Sequence, residues 1–367
     1  MTGQALDRTS GTEPETLELQ SVPGFIIFDL PGAQTSAGGT RLAKDVTVAE
    51  VALLARAMTY KYAALGARMA GAKAGVVGDP ADRVDRAALM ARYCAEVGPL
   101  VEAGRFLTGP DMGTFEEDFA PLRKDQAAPA AMTAVVDGVP FEDLLTGYGV
   151  AVAAEVALRA AGGDWHGSSA AIEGFGKVGG GVAREVIRRG GRVVALSTVA
   201  GTVADPGGLD IERLLELRSA YGDDCIARYG RPVAPPADLF AAEADVIVPG
   251  ARPGVINSLA ARSLAPTVRV VAPAANVPYT RGGAEVLRGR KIAALPDFVC
   301  NAGAVLGYRS PPRATPAEVL AGVASRVTEI TSEALSHPSG PLAGACAHAA
   351  AFLRTWWGEP PAPPFAA

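Results

Sequence analysis

Hydrophobic and polar positions along this chain alternate in two rhythms. In the first third, short apolar runs are separated by longer helix-spaced ones. Residues 24–30 (GFIIFDL) are aromatic and β-branched and stop at Pro31-Gly32, which predicts a strand and a turn. Residues 45–50 (DVTVAE) carry a helix start: Thr47 can cap, Glu50 can close a capping box, and Val46 can staple to Val51. That helix delivers Lys61 at or near its end. Lys73 follows twelve residues later between Gly71, Ala72, Ala74 and Gly75, a small-residue stretch that predicts an open turn. A short strand, 74–77, then runs into Gly78-Asp79-Pro80. Helical spacing over 85–103 predicts a second helix, and 105–108 a strand ending at Gly109-Pro110-Asp111.

The rhythm changes beyond a loose Ala/Pro stretch at 127–130. A helix over 141–161 is followed by strand 168–172, the turn Gly174-Phe175-Gly176-Lys177-Val178-Gly179, an amphipathic helix over 181–189 and strand 193–196. Three later runs, 244–249, 268–272 and 292–296, are near-continuously apolar, as strands covered on both faces are. Thr315, Pro316 and Glu318 open a last large helix with a capping box. Residues 1–20 read as a loose arm and the Pro-rich end, 359–367, as an exposed tail. The fold class is therefore α/β with two domains, 1–135 and 136–309, and helices in 310–367 free to pack back on the first.

Composition narrows the possibilities. A chain of 367 residues that is 49% hydrophobic is long enough for two cores. A net charge of -5 with acidic and basic residues interspersed gives no electrostatic case for nucleic acid or an anionic membrane. Cys94, Cys225, Cys300 and Cys346 form no C-x-x-C pair, and His166, His337 and His348 fall at no zinc-motif spacing, so neither a metal site nor a disulfide framework is expected. The polar start excludes a secretory apolar region, and 150–161 is too short to span a bilayer. A reducing cytoplasm is the expected compartment.

Lys61 and Lys73 can converge on an anion, or both can be solvated surface charges. Asp111 sits at a strand end, where catalytic groups often lie, yet Asp after Pro is also a common turn former. The G-x-G-x-x-G run has the strand before it and the helix after it that a Rossmann-type dinucleotide site requires. In that frame Gly174 permits the tight turn, Gly176 lets a pyrophosphate approach, and Gly179 lets helix and sheet pack closely. Groups just past the later strands, Gly250-Ala251, Asn276 and Asn301, then fall around the nicotinamide.

Four stretches in order resemble the glutamate/leucine/phenylalanine/valine dehydrogenase family: Gly38-Gly39-Thr40-Arg41-Leu42, the Lys61 to Gly75 segment, Gly78-Asp79-Pro80 and Pro110-Asp111-Met112-Gly113-Thr114. Thr146-Gly147-Tyr148-Gly149-Val150 and Pro296-Asp297-Phe298-Val299-Cys300-Asn301-Ala302-Gly303 are similar to two further family segments. The resemblance implies an N-terminal substrate-binding and oligomerisation domain, a C-terminal domain binding NAD or NADP, a homo-oligomer, and interconversion of an L-amino acid with its 2-oxo acid and ammonia. It implies that Lys61 holds the substrate carboxylate, that Gly38, Gly39 and the Gly71 backbone shape the pocket, and that Lys73 activates water while Asp111 exchanges protons with the amino group.

By the same resemblance Asn301 contacts substrate, and Ala37, Gly109, Val305 and Tyr308 line the side-chain pocket. Gly174 to Gly179, Ser197, Thr198, Thr146, Gly250, Ala251 and Asn276 contact the cofactor. Glutamate-specific members have a lysine before the Gly-Gly pair, where this chain has Ala37, so an aliphatic or aromatic substrate is expected. Thr198 stands where an acidic residue usually meets the adenosine ribose, and no arginine stands in that loop, which leaves NAD and NADP both open. A biosynthetic reductive aminase or imine reductase for a non-standard oxo acid and a non-catalytic dinucleotide-binding regulator are the alternatives.

Overall fold

The computed structural model describes residues 13–123, 129–136 and 139–365. Residues 1–12 of the expected arm and Ala127-Ala128 of the loose stretch lie outside the described residues. The chain divides into two compact units, Met1–Gln126 with Leu353–Pro364, and Ala127–Phe352 with Phe365–Ala367.

The first unit is built on a mixed sheet of β1 (Glu15–Glu18), β2 (Gly24–Phe28), β3 (Ser36–Ala37), β4 (Thr40–Ala43), β5 (Ala70–Val77) and β6 (Phe106–Leu107), in the order β1-β2-β5-β3-β6. β2 runs antiparallel to β5, while β3 and β4 both pair in parallel with β5, interrupted at Gly38-Gly39. Part of the expected loose arm is thus edge strand β1. The open turn predicted around Lys73 is instead the middle of β5, paired along both edges. Small residues there mark tight packing: a Cβ on Gly71 would lie 1.9 Å from the Ala55 carbonyl of helix α1 (Val48–Ala64).

Strand parity then sorts the side chains. Ala72, Ala74 and Val76 join the core under helix α2 (Arg83–Glu102), whereas Gly75 packs beneath Phe25 and Val46 on the opposite face. Lys73 belongs to that second face. Thr47 caps α1 as predicted, and Val46 packs with Val51, but Glu50 does not complete the capping box because its carboxylate turns to Arg41. The Pro-rich end is not a free tail: Tyr60 Oη donates to the Pro361 carbonyl at 2.7 Å, and Arg56 Nη1 to that of Ala362 at 2.8 Å.

The second unit opens with the hairpin of β7 (Val135–Val136) and β8 (Val139–Pro140), followed by helix α3 (Phe141–Ala160). Its main sheet holds β9 (Ser169–Glu173), β10 (Arg192–Thr198), β11 (Gly201–Ala204), β12 (Val246–Val248), β13 (Val270–Val271) and β14 (Ala293–Ala294), ordered β11-β10-β9-β12-β13-β14. All pairings are parallel except β10 with β11. This is the doubly wound arrangement in which ligands bind beyond the carboxyl ends of the strands. Helix α4 (Lys177–Arg188) follows β9 through the glycine turn and crosses α3 closely. A Cβ on Gly147 would meet the Gly181 backbone at 2.5 Å.

Helices α5 (Ile211–Tyr221), α6 (Cys225–Arg228), α7 (Ser258–Ser263) and α8 (Arg281–Gly289) complete the strand connections. Short α9 (Asp297–Cys300) and α10 (Gly303–Tyr308) follow β14, and then α11 (Pro316–Leu335) and α12 (Pro341–Arg354). Thr315 and Glu318 form the predicted capping box of α11. Phe365 packs its ring 5.9 Å from Tyr279 and 6.3 Å from Phe298.

Candidate active site

In the first unit, three charged side chains meet on the α1 face of the sheet. Lys73 Nζ lies 2.7 Å from Asp111 Oδ2, and Arg41 Nε lies 3.5 Å from the same oxygen. Arg41 Nη1 is ion-paired with Glu50. Lys73 is carried by the central strand, Arg41 by β4, and Asp111 by the loop after β6. Thr114 builds that loop: its hydroxyl accepts from Asp111 N at 2.9 Å and donates to the Thr40 carbonyl at 2.8 Å. Thr40 Oγ1 is itself bonded to Tyr93 Oη at 2.6 Å inside the core. Burial pushes the Asp111 carboxyl up, but the charges of Lys73 and Arg41, the contact from Lys73 and the Met112 N–H outweigh it and bring it down to about 2. Asp111 is therefore a carboxylate across the working pH range.

Around this cluster the backbone comes unusually close. A Cβ on Gly38 would sit 1.8 Å from the Ala72 carbonyl, and one on Gly39 2.7 Å from that of Pro110, so only glycine lets the three strands approach. Ala37 is buried on β3. Gly71 donates its N–H to Thr59 Oγ1 at 2.8 Å and accepts from Asp29 N at 3.0 Å, so its backbone is engaged in the scaffold. Thr59 in turn donates to the buried Asp29 carboxylate, which also pairs with Arg56 at 2.6 Å. Lys61, in the last turn of α1, is buried. Gly109 has the Arg123 guanidinium 3.4 Å from where its Cβ would be, and Arg123 is ion-paired with Glu116.

In the second unit, the three motif glycines differ in their surroundings. Gly174 has φ +83°, which a side chain would strain. Gly176 is exposed, caps α4 and faces open space, with nothing within 4 Å of a Cβ. Gly179 would drive a Cβ to 1.9 Å from the Gly174 carbonyl. Phe175 is fully buried and Val178 half-buried, so Phe175 presents only its backbone outward. Lys177, exposed, is 3.2 Å from Asp143. The exposed N-terminus of α4 is a ready anion site, with free N–H groups and the positive end of the helix dipole.

Glu173, at the end of β9, was not singled out from the sequence. Its Oε2 accepts from Gly250 N and Ala251 N, each at 3.2 Å, and thereby fixes the loop after β12. Desolvation raises its carboxyl above the usual range against the pull of those two N–H groups and Arg252. Ser197 is buried and its carbonyl accepts from Gly174 N at 3.0 Å. Thr198 donates to the Asp223 carbonyl at 2.8 Å. Thr146 is half-buried on α3.

Asn301 follows α9 and is buried; its Nδ2 donates to Asn276 Oδ1 at 2.9 Å and to the Ala274 carbonyl at 3.1 Å. Those two acceptors fix the amide orientation, and Oδ1 is left as a buried acceptor with no protein donor. Asp297 supports the arrangement by accepting from Val277 N at 2.8 Å, the residue after Asn276, whose φ is +49°. Val305 and Tyr308 share a face of α10; Val305 is half-buried, and Tyr308 Oη donates to Glu142 at 2.8 Å. Among the described residues no group of three or more His, Cys, Asp or Glu could hold a metal ion, and no helix is long and apolar enough to cross a membrane.

Comparison with known proteins accounts for both units. Residues 15–127 match the family model described as Glu/Leu/Phe/Val dehydrogenase, dimerisation domain. Residues 138–308 match that of Glutamate/Leucine/Phenylalanine/Valine dehydrogenase. Glutamate dehydrogenase A2 of Halobacterium salinarum is 31% identical over 280 residues, which cover 73% of this chain and 67% of the relative. The hetero-hexameric glutamate dehydrogenase from Thermus thermophilus, in its Leu-bound form, superposes with a TM-score of 0.76 at 26% identity, over 92% of this chain and 86% of that one. L-tryptophan dehydrogenase from Nostoc punctiforme shares the fold, with a TM-score of 0.63 at 20% identity over 94% and 98% of the two chains. The chain belongs to the glutamate/leucine/phenylalanine/valine dehydrogenase family, and is an amino acid dehydrogenase that acts on CH–NH2 donors with NAD or NADP.

Proposed function

We propose that this enzyme interconverts a nonpolar L-amino acid, branched or aromatic, with its 2-oxo acid and ammonia. The observation that carries the reading is the Lys73–Asp111 pair, two buried or half-buried groups of opposite charge 2.7 Å apart, with Arg41 beside them and the close-packed backbone of Gly38 and Gly39 around them. Lys61 binds the substrate carboxylate by a charge-assisted bond, and Gly38 and Gly39 shape the pocket. Lys73 polarises the carbonyl and activates water. With its carboxyl at about 2, Asp111 is a weak base while it faces the two cations. When Lys73 passes its proton on, one of the two cations vanishes and Asp111 gains proton affinity, so the pair exchanges protons with the amino group as a coupled unit.

The residues of the second unit fit a dinucleotide. Open space at Gly176 and the donors at the start of α4 suit a pyrophosphate, and the orphan Asn301 Oδ1 suits an amide or amine N–H of the ligand set. Gly174 to Gly179, Ser197, Thr198, Thr146, Gly250, Ala251 and Asn276 would hold it. When bound, the nicotinamide supplies hydride exchange with the substrate Cα. The choice between NAD and NADP stays open, because the Thr198 hydroxyl is taken by Asp223 and the loop offers neither carboxylate nor guanidinium.

Side-chain selection is read from Ala37, a buried methyl where a γ-carboxylate would need a cation. Arg123, beside Gly109, already has Glu116 as its counter-charge. We also assign the first unit to substrate binding and to a homo-oligomer, in line with the dimerisation-domain match, and place the enzyme in the cytoplasm. The test is to follow NADH and NADPH oxidation with ammonia over a panel of 2-oxo acids. Turnover with aliphatic or aromatic oxo acids is expected, and Ala37→Lys should shift kcat/KM toward 2-oxoglutarate by about tenfold. Wild-type preference for 2-oxoglutarate, or no shift in the variant, would overturn the substrate assignment.

A further inference from the structure

The Lys73–Asp111 pair has a third member that the residue pattern did not announce. Arg41 follows the Gly38-Gly39 interruption on β4, where Thr40 and Leu42 point into the core and Arg41 to the other face. Its side chain is only 7% exposed. One end of the guanidinium is held by Glu50, which leaves its capping duty on α1 for this contact. The other end, Nε, is a buried donor without a hydrogen-bond acceptor, aimed at Asp111 Oδ2 from 3.5 Å. That distance is too long for a hydrogen bond and short enough for one to form on a small rotation of the carboxylate. Asp111 Oδ2 thus faces two cations, the Lys73 ammonium at 2.7 Å and Arg41 Nε at 3.5 Å.

We propose that Arg41 is a positioning residue for Asp111: it receives the carboxylate when Lys73 turns its ammonium to the substrate, and Glu50 holds Arg41 in place to do so. The inference rests on the reading of Lys73 and Asp111 as the reacting pair. An arginine is required because one planar fork must face Glu50 and Asp111 at once, which a lysine ammonium on a flexible stem does less well. The charged groups facing Asp111 are Lys73 from β5 and Arg41 from β4; Glu50 from α1 faces Arg41. Carboxylates elsewhere in the unit, such as Asp29 and Glu116, have their own cations, Arg56 and Arg123.

A double-mutant cycle tests this on the full-length enzyme, with kcat and both KM values measured for wild type, Arg41→Met, Asp111→Asn and the double variant. Arg41→Met should lower kcat by about 10- to 100-fold with the cofactor KM unchanged, and Arg41→Lys should recover part of that loss. In the Asp111→Asn background the Arg41 change should cost no more than about twofold, because it acts through the missing carboxylate. If the two losses multiply, or if Arg41→Met keeps wild-type kcat, the positioning role is wrong. Should Arg41→Met fail to fold, Arg41→Lys takes its place in the cycle, and wild-type kcat in that variant overturns the role equally. Failure of the underlying reading looks different: Asp111→Asn and Lys73→Ala would then both retain wild-type kcat.

Discussion

In the first unit the candidate groups are charges packed against one another, with Lys73 2.7 Å from Asp111 and Arg41 beside them; in the second they are mostly backbone atoms laid bare by missing side chains. The two kinds of site fail in different ways. Removing a charge from the first leaves its partner unpaired and should take away chemistry. Adding a methyl to the second disturbs either the fold or the ligand, depending on which glycine receives it. The sheet around Lys73 shows that small residues need not mean access: β5 is rich in Ala and Gly because strands pair along both its edges and α1 presses on one face, and the lysine is the exception to that packing.

The largest effect that separates the two regions is Gly179→Ala. Its methyl would arrive 1.9 Å from a backbone carbonyl that has little room to move, and roughly 3 kcal/mol of stability should be lost. Thermal unfolding would show a fall in midpoint with or without cofactor; an unchanged midpoint would mean that the turn relaxes freely.

The next effect belongs to the first unit and depends on pH. The Asp111 carboxyl falls from an ordinary 3.8 to about 2 in the folded chain, so the unfolded chain takes up the proton first as pH drops. The stabilisation is complete above pH 4 and lost between about 4 and 2, amounting to about 2 kcal/mol. Denaturation curves across that window should show this component in the wild type and its absence in Asp111→Asn.

The smallest of the three is Gly176→Ala. The position has φ -83° and empty space around it, so the folded state should tolerate the methyl to within about 1 kcal/mol. The methyl would instead occupy the space proposed for the pyrophosphate, and the cofactor KM should rise about tenfold while the melting midpoint stays put. A large fall in midpoint would show that Gly176 serves packing, as Gly179 does.

Much of the second unit was legible in the sequence because its signals are local. The strand, glycine turn and helix follow one another within 20 residues, and the capping box of Thr315 and Glu318 needs no distant partner. What escaped reading depends on partners far along the chain. Glu50 stands at a capping position, but Arg41 claims its carboxylate; Glu173 acquires meaning only from Gly250 and Ala251; the Pro-rich end is tied down by Tyr60 and Arg56, some 300 residues earlier. Ala and Gly around Lys73 have the composition of a turn, and only pairing with β2 and β4 makes them a strand. The antiparallel β11, short and beyond β10, also lacked a signal of its own.

The division of labour between charged first unit and bare-backbone second unit is tested most directly by Lys73→Ala, with NADH and NADPH affinity measured by fluorescence titration beside kcat for reductive amination. A cofactor Kd within about twofold of wild type and a kcat lower by roughly a thousandfold are expected. A variant that keeps its kcat, or one that loses cofactor affinity in step with it, would contradict the account.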